Sequence, residues 1–174
     1  MTLSYNQDEM LALWRLRRGL EPLRSDGITV RRDGLDVDTL MLAELNAWYA
    51  NLLARGSLDM VEVTELTDKI VRKLDATTLS VTLPERCRRV VSVRGRGWSR
   101  SAIPTPLEQV NVLDINQYAG RGPENPLAIL DGRILTLYRV TGSEIESLRV
   151  VVQPEGGIYR FDETALATIP TLES

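Results

Sequence analysis

The sequence LAILDGRILTLY, at residues 127–138, combines two short apolar runs with a tight-turn signal between them. Asp-Gly pairs favour the left-handed backbone of two-residue turns, so Asp131-Gly132 predicts a β-hairpin. Similar short apolar runs, each bounded by Gly, Pro or Asp, occur at residues 79–83, 90–93 and 148–152. The second half of the chain is therefore predicted to form an antiparallel β-sandwich or a small β-barrel-like body.

The first part of the chain follows a helical period instead. Two helices are predicted, at residues 7–19 and 39–54, with Asn6 and Asp38 as their N-caps. Apolar side chains recur at helical spacing in both, so the helices are expected to pack against each other. The stripes are Leu13, Leu16 and Leu20, beside Met10 and Trp14, in the first helix, and Met41, Leu45, Trp48 and Leu52, beside Leu42, Tyr49 and Leu53, in the second.

These patterns predict an α+β protein. A length of 174 residues favours one compact unit. It would comprise a helical pair at residues 1–56 and a β-rich body at 57–174. The body contains a long Pro- and Gly-rich loop at residues 99–125, and a loop of that size is typical of a functional or partner-binding segment. Shorter elements are predicted as a strand or hairpin at 28–30, a strand at 158–161 and a helical turn at 162–169.

Residues 57–78 fit two interpretations. Apolar residues near 70–74 are compatible with a short helix capped by Thr67. They are equally compatible with a strand that pairs with residues 79–83 after a turn at Asp75. The hairpin is favoured, because the alternating second arm needs a partner strand.

The composition excludes several classes of site. The chain has a net charge of −3, no histidine and one cysteine, Cys87. Without histidine it cannot build a Ser-His-Asp triad or a His-based metal site, and it lacks a glycine-rich phosphate loop. A single cysteine forms no internal disulfide, which suits a reducing compartment. With no signal-like segment and no long apolar run, the sequence predicts an intracellular protein that is not an enzyme and binds no membrane, cofactor or metal.

The remaining reactive groups have structural interpretations. Cys87 lies among arginines, which lower a thiol pKa, but a lone cysteine here is interpreted as a partly buried strand residue. The acidic pairs Asp36/Asp38 and Glu144/Glu146 are interpreted as a helix start and a solvent-facing strand rather than as a glycosidase pair.

The strongest local bias is basic. Residues 86–100 contain six arginines and no acid. Arginines pair with phosphates and tryptophan stacks on bases, while the intervening glycines suggest a mobile backbone, so this segment is a candidate nucleic-acid or DNA-channel contact. The alternative is that these arginines flank a strand and pair with surface carboxylates. The candidate contact residues are Arg94, Arg96, Trp98 and Arg100.

The end of the chain has the opposite bias. From residue 141 onwards there are six acids and two arginines. A basic segment and an acidic segment in one chain can meet between neighbouring subunits of a ring, although an ordinary solvated surface explains both equally well. The candidate oligomer contacts are Arg86, Arg88, Arg89, Glu144 and Glu146.

The arrangement of these elements resembles phage head–tail connector or adaptor (neck ring) proteins. The resemblance covers roughly residues 5–160 and lies in order and composition. It consists of the helical pair with Trp48-Tyr49, then Leu83-Pro84-Glu85 leading into a strand at 89–93, then Asn125-Pro126 before a hairpin that returns at 135–138. The long C-terminal helices of many such adaptors are absent here or reduced to a turn.

The resemblance implies a non-enzymatic virion structural subunit, assembled in the host cytoplasm. Such a subunit forms a homo-oligomeric ring around the DNA channel and contacts neighbouring portal or tail proteins, close to DNA without reading its sequence. The alternative is a cytoplasmic nucleic-acid-binding or regulatory module that uses the Arg-Gly loop at residues 94–100.

Overall fold

The structure, a computed structural model, describes residues 1–19, 37–109 and 126–171. It confirms the α+β class. The chain divides into two compact units, residues 1–62 with 153–174 and residues 63–152. This differs from the predicted single unit with a boundary at residue 56. The reason is that the end of the chain pairs with its beginning and so joins the helices rather than the β-rich body.

The first unit combines the helices with a two-stranded sheet. Strand β1 (Thr2–Tyr5) pairs antiparallel with β10 (Tyr159–Asp162), with Thr2 opposite Asp162. Helices α1 (Gln7–Arg17) and α2 (Val37–Arg55) lie between these strands in sequence. A short 3-10 helix (Glu163–Thr168) follows β10, in agreement with the predicted helical turn.

Helix α1 begins at its predicted cap. The Asn6 side-chain oxygen accepts a hydrogen bond from the backbone N–H of Glu9 at 2.8 Å. In return, the Glu9 carboxylate accepts one from the backbone N–H of Asn6 at 3.4 Å. This reciprocal capping box satisfies two amides that the helix leaves unpaired. The predicted apolar face is confirmed at Met10 and Trp14, which are buried, and wrong at Leu16, which is 69% exposed. Met10 and Trp14, four residues apart, share the face that packs into the unit.

Helix α2 confirms its predicted stripe. Its buried residues are Met41, Leu45, Tyr49, Leu52 and Leu53. The helix begins at Val37, so Asp38 lies in its first turn rather than at the N-cap, and the Asp38 carboxylate forms an ion pair with Arg15 of α1. A second ion pair, Arg18 Nη1 to Glu44 Oε2 at 2.9 Å, also joins the two helices. The predicted helical pair is confirmed.

An aromatic cluster forms the centre of this unit. Phe161, the only phenylalanine in the chain, is fully buried on β10. Its ring meets Trp48 edge-to-face at 5.5 Å, and Trp48 meets Trp14 at 5.7 Å. Tyr49 and Tyr159 lie 5.1 Å apart beside them. Such contacts add about 0.5–1.5 kcal/mol each beyond simple burial, so the short strands are fixed through the helices.

The Tyr49 hydroxyl forms hydrogen bonds with the backbone of β10. It donates a hydrogen bond to the Arg160 carbonyl at 3.1 Å and accepts one from the Arg160 amide at 3.0 Å. One side chain therefore satisfies both backbone groups of a strand residue that, among the described strands, has a neighbour only on its β1 side. Burial raises the pKa of Tyr49, which keeps the hydroxyl protonated and able to donate.

We predict that Tyr49→Phe destabilises the first unit by about 1–2 kcal/mol, because two partly buried backbone groups lose their partner. Urea unfolding followed by tryptophan fluorescence measures this change. Tyr5→Phe is the matched control, since the Tyr5 ring also packs on Phe161 but its hydroxyl makes no hydrogen bond within the described residues. Equal stability of the two variants would contradict the role of the Tyr49 hydroxyl.

The second unit contains two sheets. The three-stranded sheet has the order β2-β9-β5, and the five-stranded sheet has the order β3-β4-β8-β7-β6. All pairs are antiparallel except β6 with β7, which is parallel. The strands are β2 (Thr64–Glu65), β3 (Ile70–Lys73), β4 (Leu79–Thr82), β5 (Cys87–Gly95), β6 (Thr105–Pro106), β7 (Leu127–Asp131), β8 (Ile134–Tyr138) and β9 (Ile145–Val152).

Both sheets contribute to one aliphatic core. Val81, Leu135 and Leu137 of the five-stranded sheet belong to the same buried cluster as Val93 and Val150 of the three-stranded sheet. All five side chains are fully buried. This packing is the β-sandwich that the sequence predicted, with the parallel β6–β7 pair as the exception to its antiparallel character.

The predicted hairpins are confirmed. β3 and β4 form the hairpin favoured for residues 57–78. β7 and β8 form the second hairpin, which turns at Gly132-Arg133, one residue later than predicted, because Asp131 still pairs with Ile134; Gly132 has φ +58°. The long loop is shorter than predicted, because β6 and a 3-10 helix (Leu107–Gln109) occupy part of it. Residues 110–125 of the predicted loop lie outside the described residues, as do the predicted strand at 28–30, Leu20 and Asp36.

The second unit has the connections of an inserted domain. At its two ends Thr64 of β2 lies opposite Val150 of β9. In the first unit, a segment that precedes residues 63–152 and a segment that follows them also lie side by side, because the backbone N–H of Asp162 donates to the Met60 carbonyl at 2.8 Å. A chain that leaves and returns at neighbouring points leaves the first unit's own contacts intact.

We therefore predict that residues 63–152 fold when expressed alone. The fragment should give a strand-type circular dichroism spectrum and one cooperative thermal transition. Leu135→Ala in the fragment should lower its stability by about 2–5 kcal/mol, because Leu135 lies at the centre of the core. A fragment without a cooperative transition would contradict the division into units.

Candidate functional site

The basic segment of residues 86–100 occupies β5 and the turn that follows it. The glycines of this turn are held by close packing. A Cβ at Gly95 would clash with Val140, and a Cβ at Gly97, which has φ +89°, would clash with the Thr141 side chain. The Thr141 amide also donates to the Arg96 carbonyl at 2.7 Å. The mobile backbone predicted from these glycines is therefore wrong, since the turn fits against the chain that follows β8.

Trp98 anchors this turn from inside. Its side chain is only 2% exposed, and its indole N–H donates to the carbonyls of Tyr138 at 2.9 Å and Arg139 at 3.1 Å. A ring enclosed in this way offers no face to a nucleic-acid base. The prediction that Trp98 faces DNA is corrected, because its bulk belongs to the core of the unit.

Arg94 and Arg96 pair with acids of the same chain. Arg94 Nε lies 3.2 Å from Glu146 Oε2, and Arg96 Nη1 lies 3.8 Å from Glu144 Oε2. The predicted meeting of the basic and acidic segments thus occurs inside one chain, between β5 and the start of β9. Arg94 Nη2 also donates to the Trp98 carbonyl at 3.2 Å. Exposed pairs of this kind contribute less than about 1 kcal/mol each to the free energy of unfolding, so replacing one partner by another changes stability little.

The arginines at the start of β5 are also engaged. Arg86 donates two hydrogen bonds to the Asp68 carboxylate, from Nη2 to Oδ1 at 2.6 Å and from Nε to Oδ2 at 3.3 Å. These hydrogen bonds lower the pKa of Asp68. Arg88 donates to the Glu85 carbonyl at 3.2 Å. Burial lowers the pKa of the partly buried Arg89. The structure gives Arg86 an internal role beside its predicted oligomer contact.

Arg100 differs from the other candidates. It lies on the exposed turn after Trp98, and within the described residues it forms no ion pair. Of the predicted DNA-facing set, Arg96 and Arg100 present their charges most openly, since the side chain of Arg96 is 59% exposed. The structure therefore reduces the candidate site to these two positions.

Cys87 begins β5 and is half buried. Burial raises its pKa, and this effect outweighs the opposite influence of Arg86 and Arg88. The interpretation of Cys87 as a partly buried strand residue is confirmed, since the thiol stays protonated at neutral pH and is a poor nucleophile.

Sequence reasoning missed a second cationic site, on β3. All four residues of this strand are exposed, and among the described residues neither Arg72 nor Lys73 forms an ion pair. The signal was present in the sequence as two apolar residues flanked by three cations, from Lys69 to Lys73. The same residues also carry the strand pattern, so the pattern indicates a β-strand without showing that its cations are exposed and unpaired by acids.

In the described part of the chain no group of His, Cys, Asp and Glu side chains is arranged to hold a metal, and no helix is long and apolar enough to cross a membrane. No family model, curated protein or solved structure matches the chain.

We predict that Gly97→Ala destabilises the second unit by about 1–3 kcal/mol, since it combines a strained positive φ with a clash against Thr141. Gly132→Ala is the matched control: Gly132 also has a positive φ, but no atom lies within 4 Å of an added Cβ. Chemical denaturation of both variants separates the two effects. Equal losses would show that backbone conformation alone, without the close packing, explains Gly97.

Proposed function

We propose that the protein is a non-enzymatic structural subunit of a virion head–tail connector. It assembles with copies of itself into a neck or adaptor ring around the DNA channel and contacts the neighbouring portal or tail proteins. Assembly takes place in the host cytoplasm, and the finished protein belongs to the virion.

The observation that carries this proposal is the match between the resembling segments and the elements of the fold. The helix with Trp48-Tyr49 is α2, whose aromatic side chains hold the first unit together. Leu83-Pro84-Glu85 leads directly into β5, and residues 135–138 belong to β8. The features that resemble connector proteins are thus the ones that build the two units.

The exposed charges support the same proposal. Arg96 and Glu144 form a long, open ion pair, with side chains 59% and 78% exposed. Such a pair exchanges its partners at little cost, so the same groups are able to pair across a subunit boundary. Arg100 adds a charge without an ion pair among the described residues, suited to phosphates passing close by.

The proposal is tested by the composition of particles. We predict that the protein is found in purified virions encoded by the genome that carries its gene, in constant ratio to the portal protein. Quantitative mass spectrometry of gradient-purified particles measures this ratio. Deleting the gene should give DNA-filled or leaking heads without attached tails in electron micrographs. Absence of the protein from purified virions would overturn the proposal.

DNA proximity has its own prediction. If Arg96 and Arg100 face DNA, Arg96→Ser with Arg100→Ser should flatten the slope of log affinity against log salt by roughly two units, about 0.9 for each lost phosphate contact. Arg55→Ser with Arg17→Ser is the control, because both arginines are exposed on the helices. An unchanged slope in the first variant would remove DNA contact from the role of this loop, and would also remove the alternative of a nucleic-acid-binding module using it.

A further inference from the structure

We propose that β3 is a docking edge for an extended acidic segment of a partner protein, which adds as a strand to the five-stranded sheet. This interaction surface is distinct from the basic turn after β5, and it does not depend on the kind of assembly to which the chain belongs.

The first argument is the open edge. β3 is the outermost strand of its sheet, and among the described strands it pairs only with β4. The Leu74 amide donates to the Thr78 carbonyl at 2.9 Å, which makes Leu74 and Thr78 a hydrogen-bonded pair. Such pairs alternate along an antiparallel ladder, so Ile70 and Arg72 bond to β4, while the backbone groups of Val71 and Lys73 point outward. These outward groups are two donors and two acceptors for an incoming strand.

The second argument is the apolar surface on this edge. Ile70 is 71% exposed and Val71 is 36% exposed. Ile70 lies opposite Thr82 on β4, and Thr82 lies opposite Ile134 on β8, so the three form one row across the sheet. Ile134 is itself 48% exposed. An added strand with an apolar residue beside Ile70 would extend this row and cover it.

The third argument is charge. Arg72 and Lys73 follow the two apolar residues and, among the described residues, have no acidic partner, unlike Arg86, Arg94 and Arg96. An acidic strand would supply the missing carboxylates directly opposite, where cross-strand charge pairs contribute roughly 0.2–1 kcal/mol each.

Charge also excludes a second copy of β3 as the occupant. An antiparallel partner must align with the outward groups of Val71 and Lys73. Centring such a pair on Val71 sets Lys69 opposite Lys73, and centring it on Arg72 sets that residue opposite itself. Centring it on Lys73 does the same for Lys73. Each of these three registers, in which Val71 or Lys73 pairs with Val71 or Lys73 of the copy, therefore places like charges opposite each other and is destabilised.

These positions define the sequence of the partner. In an antiparallel arrangement the partner reads acid-acid-apolar-apolar, opposite Lys73, Arg72, Val71 and Ile70 in turn. The recognition combines main-chain hydrogen bonds with alternate side-chain contacts, as in other cases of strand addition.

The test uses a fluorescent, end-capped peptide with Glu-Glu-Val-Val at its centre, titrated against the full-length protein and followed by anisotropy. We expect saturable binding, and slower hydrogen exchange at the amides of Val71 and Lys73. Methylating the peptide nitrogens of the first Glu and the first Val should weaken binding about tenfold or more, because two hydrogen bonds are lost. Equal binding of the methylated peptide would overturn strand addition, since charge attraction alone would then explain the binding.

Charge reversal provides the second arm. Arg72→Glu with Lys73→Glu should abolish binding of the acidic peptide and create binding of its Lys-Lys-Val-Val counterpart. Arg17→Glu with Arg55→Glu changes the net charge equally at exposed positions outside the edge and should leave both affinities within about twofold. No binding of the acidic peptide up to about 1 mM would overturn the proposal. The proposal would also be overturned if the protein bound no peptide but bound duplex DNA, and if Arg72→Glu with Lys73→Glu weakened that DNA binding, because the strand would then contact phosphate.

Discussion

The pairing of β1 with β10 is the constraint on which the first unit, and with it the division of the chain into two units, depends. It brings Tyr5 opposite Tyr159 and thereby joins segments from the two ends of the described chain. Closing so long a loop costs conformational entropy, which the short ladder alone cannot offset. The aromatic contacts of Phe161 with Trp48, and the hydrogen bonds of the Tyr49 hydroxyl, supply the difference. Once this closure exists, residues 63–152 become an insertion between adjacent points.

Local patterns predicted the elements whose signal is local. Helix α2, the β7–β8 hairpin and β5 follow from apolar periodicity and turn residues within a few positions of each other. The β1–β10 pair did not follow, because two four-residue strands carry too little pattern to identify partners so far apart. The exposure of Leu16 in α1 did not follow from the sequence for a related reason. Leucine spacing placed Leu16 on the apolar face beside Trp14, but it is Trp14 whose ring meets the distant Trp48.

The candidate site shows the same limit in its chemistry. Composition located the arginines of β5 correctly, yet it did not reveal that Glu144 and Glu146 stand beside them in the folded chain. Gly97 was interpreted as a source of mobility, whereas its missing side chain lets Thr141 approach. Trp98 was interpreted as a stacking surface, whereas its indole N–H satisfies two carbonyls in the core. Residue type suggested a contact in each case, and only the neighbours decided which one.

The ion pairs also indicate which cations are available to a binding partner. A cation that already has a carboxylate must give it up before it binds an acidic or phosphate group, so its net contribution to affinity is small. Three of the six arginines at residues 86–100 are in that position, namely Arg86, Arg94 and Arg96. Arg86 is the clearest example because it contacts Asp68 through two nitrogen atoms. Arg72, Lys73 and Arg100 bring no such cost among the described residues. The paired arginines of residues 86–100 are therefore a weaker source of attraction than the two cations on the edge of β3, where open backbone groups and the exposed Ile70 act together with the charge.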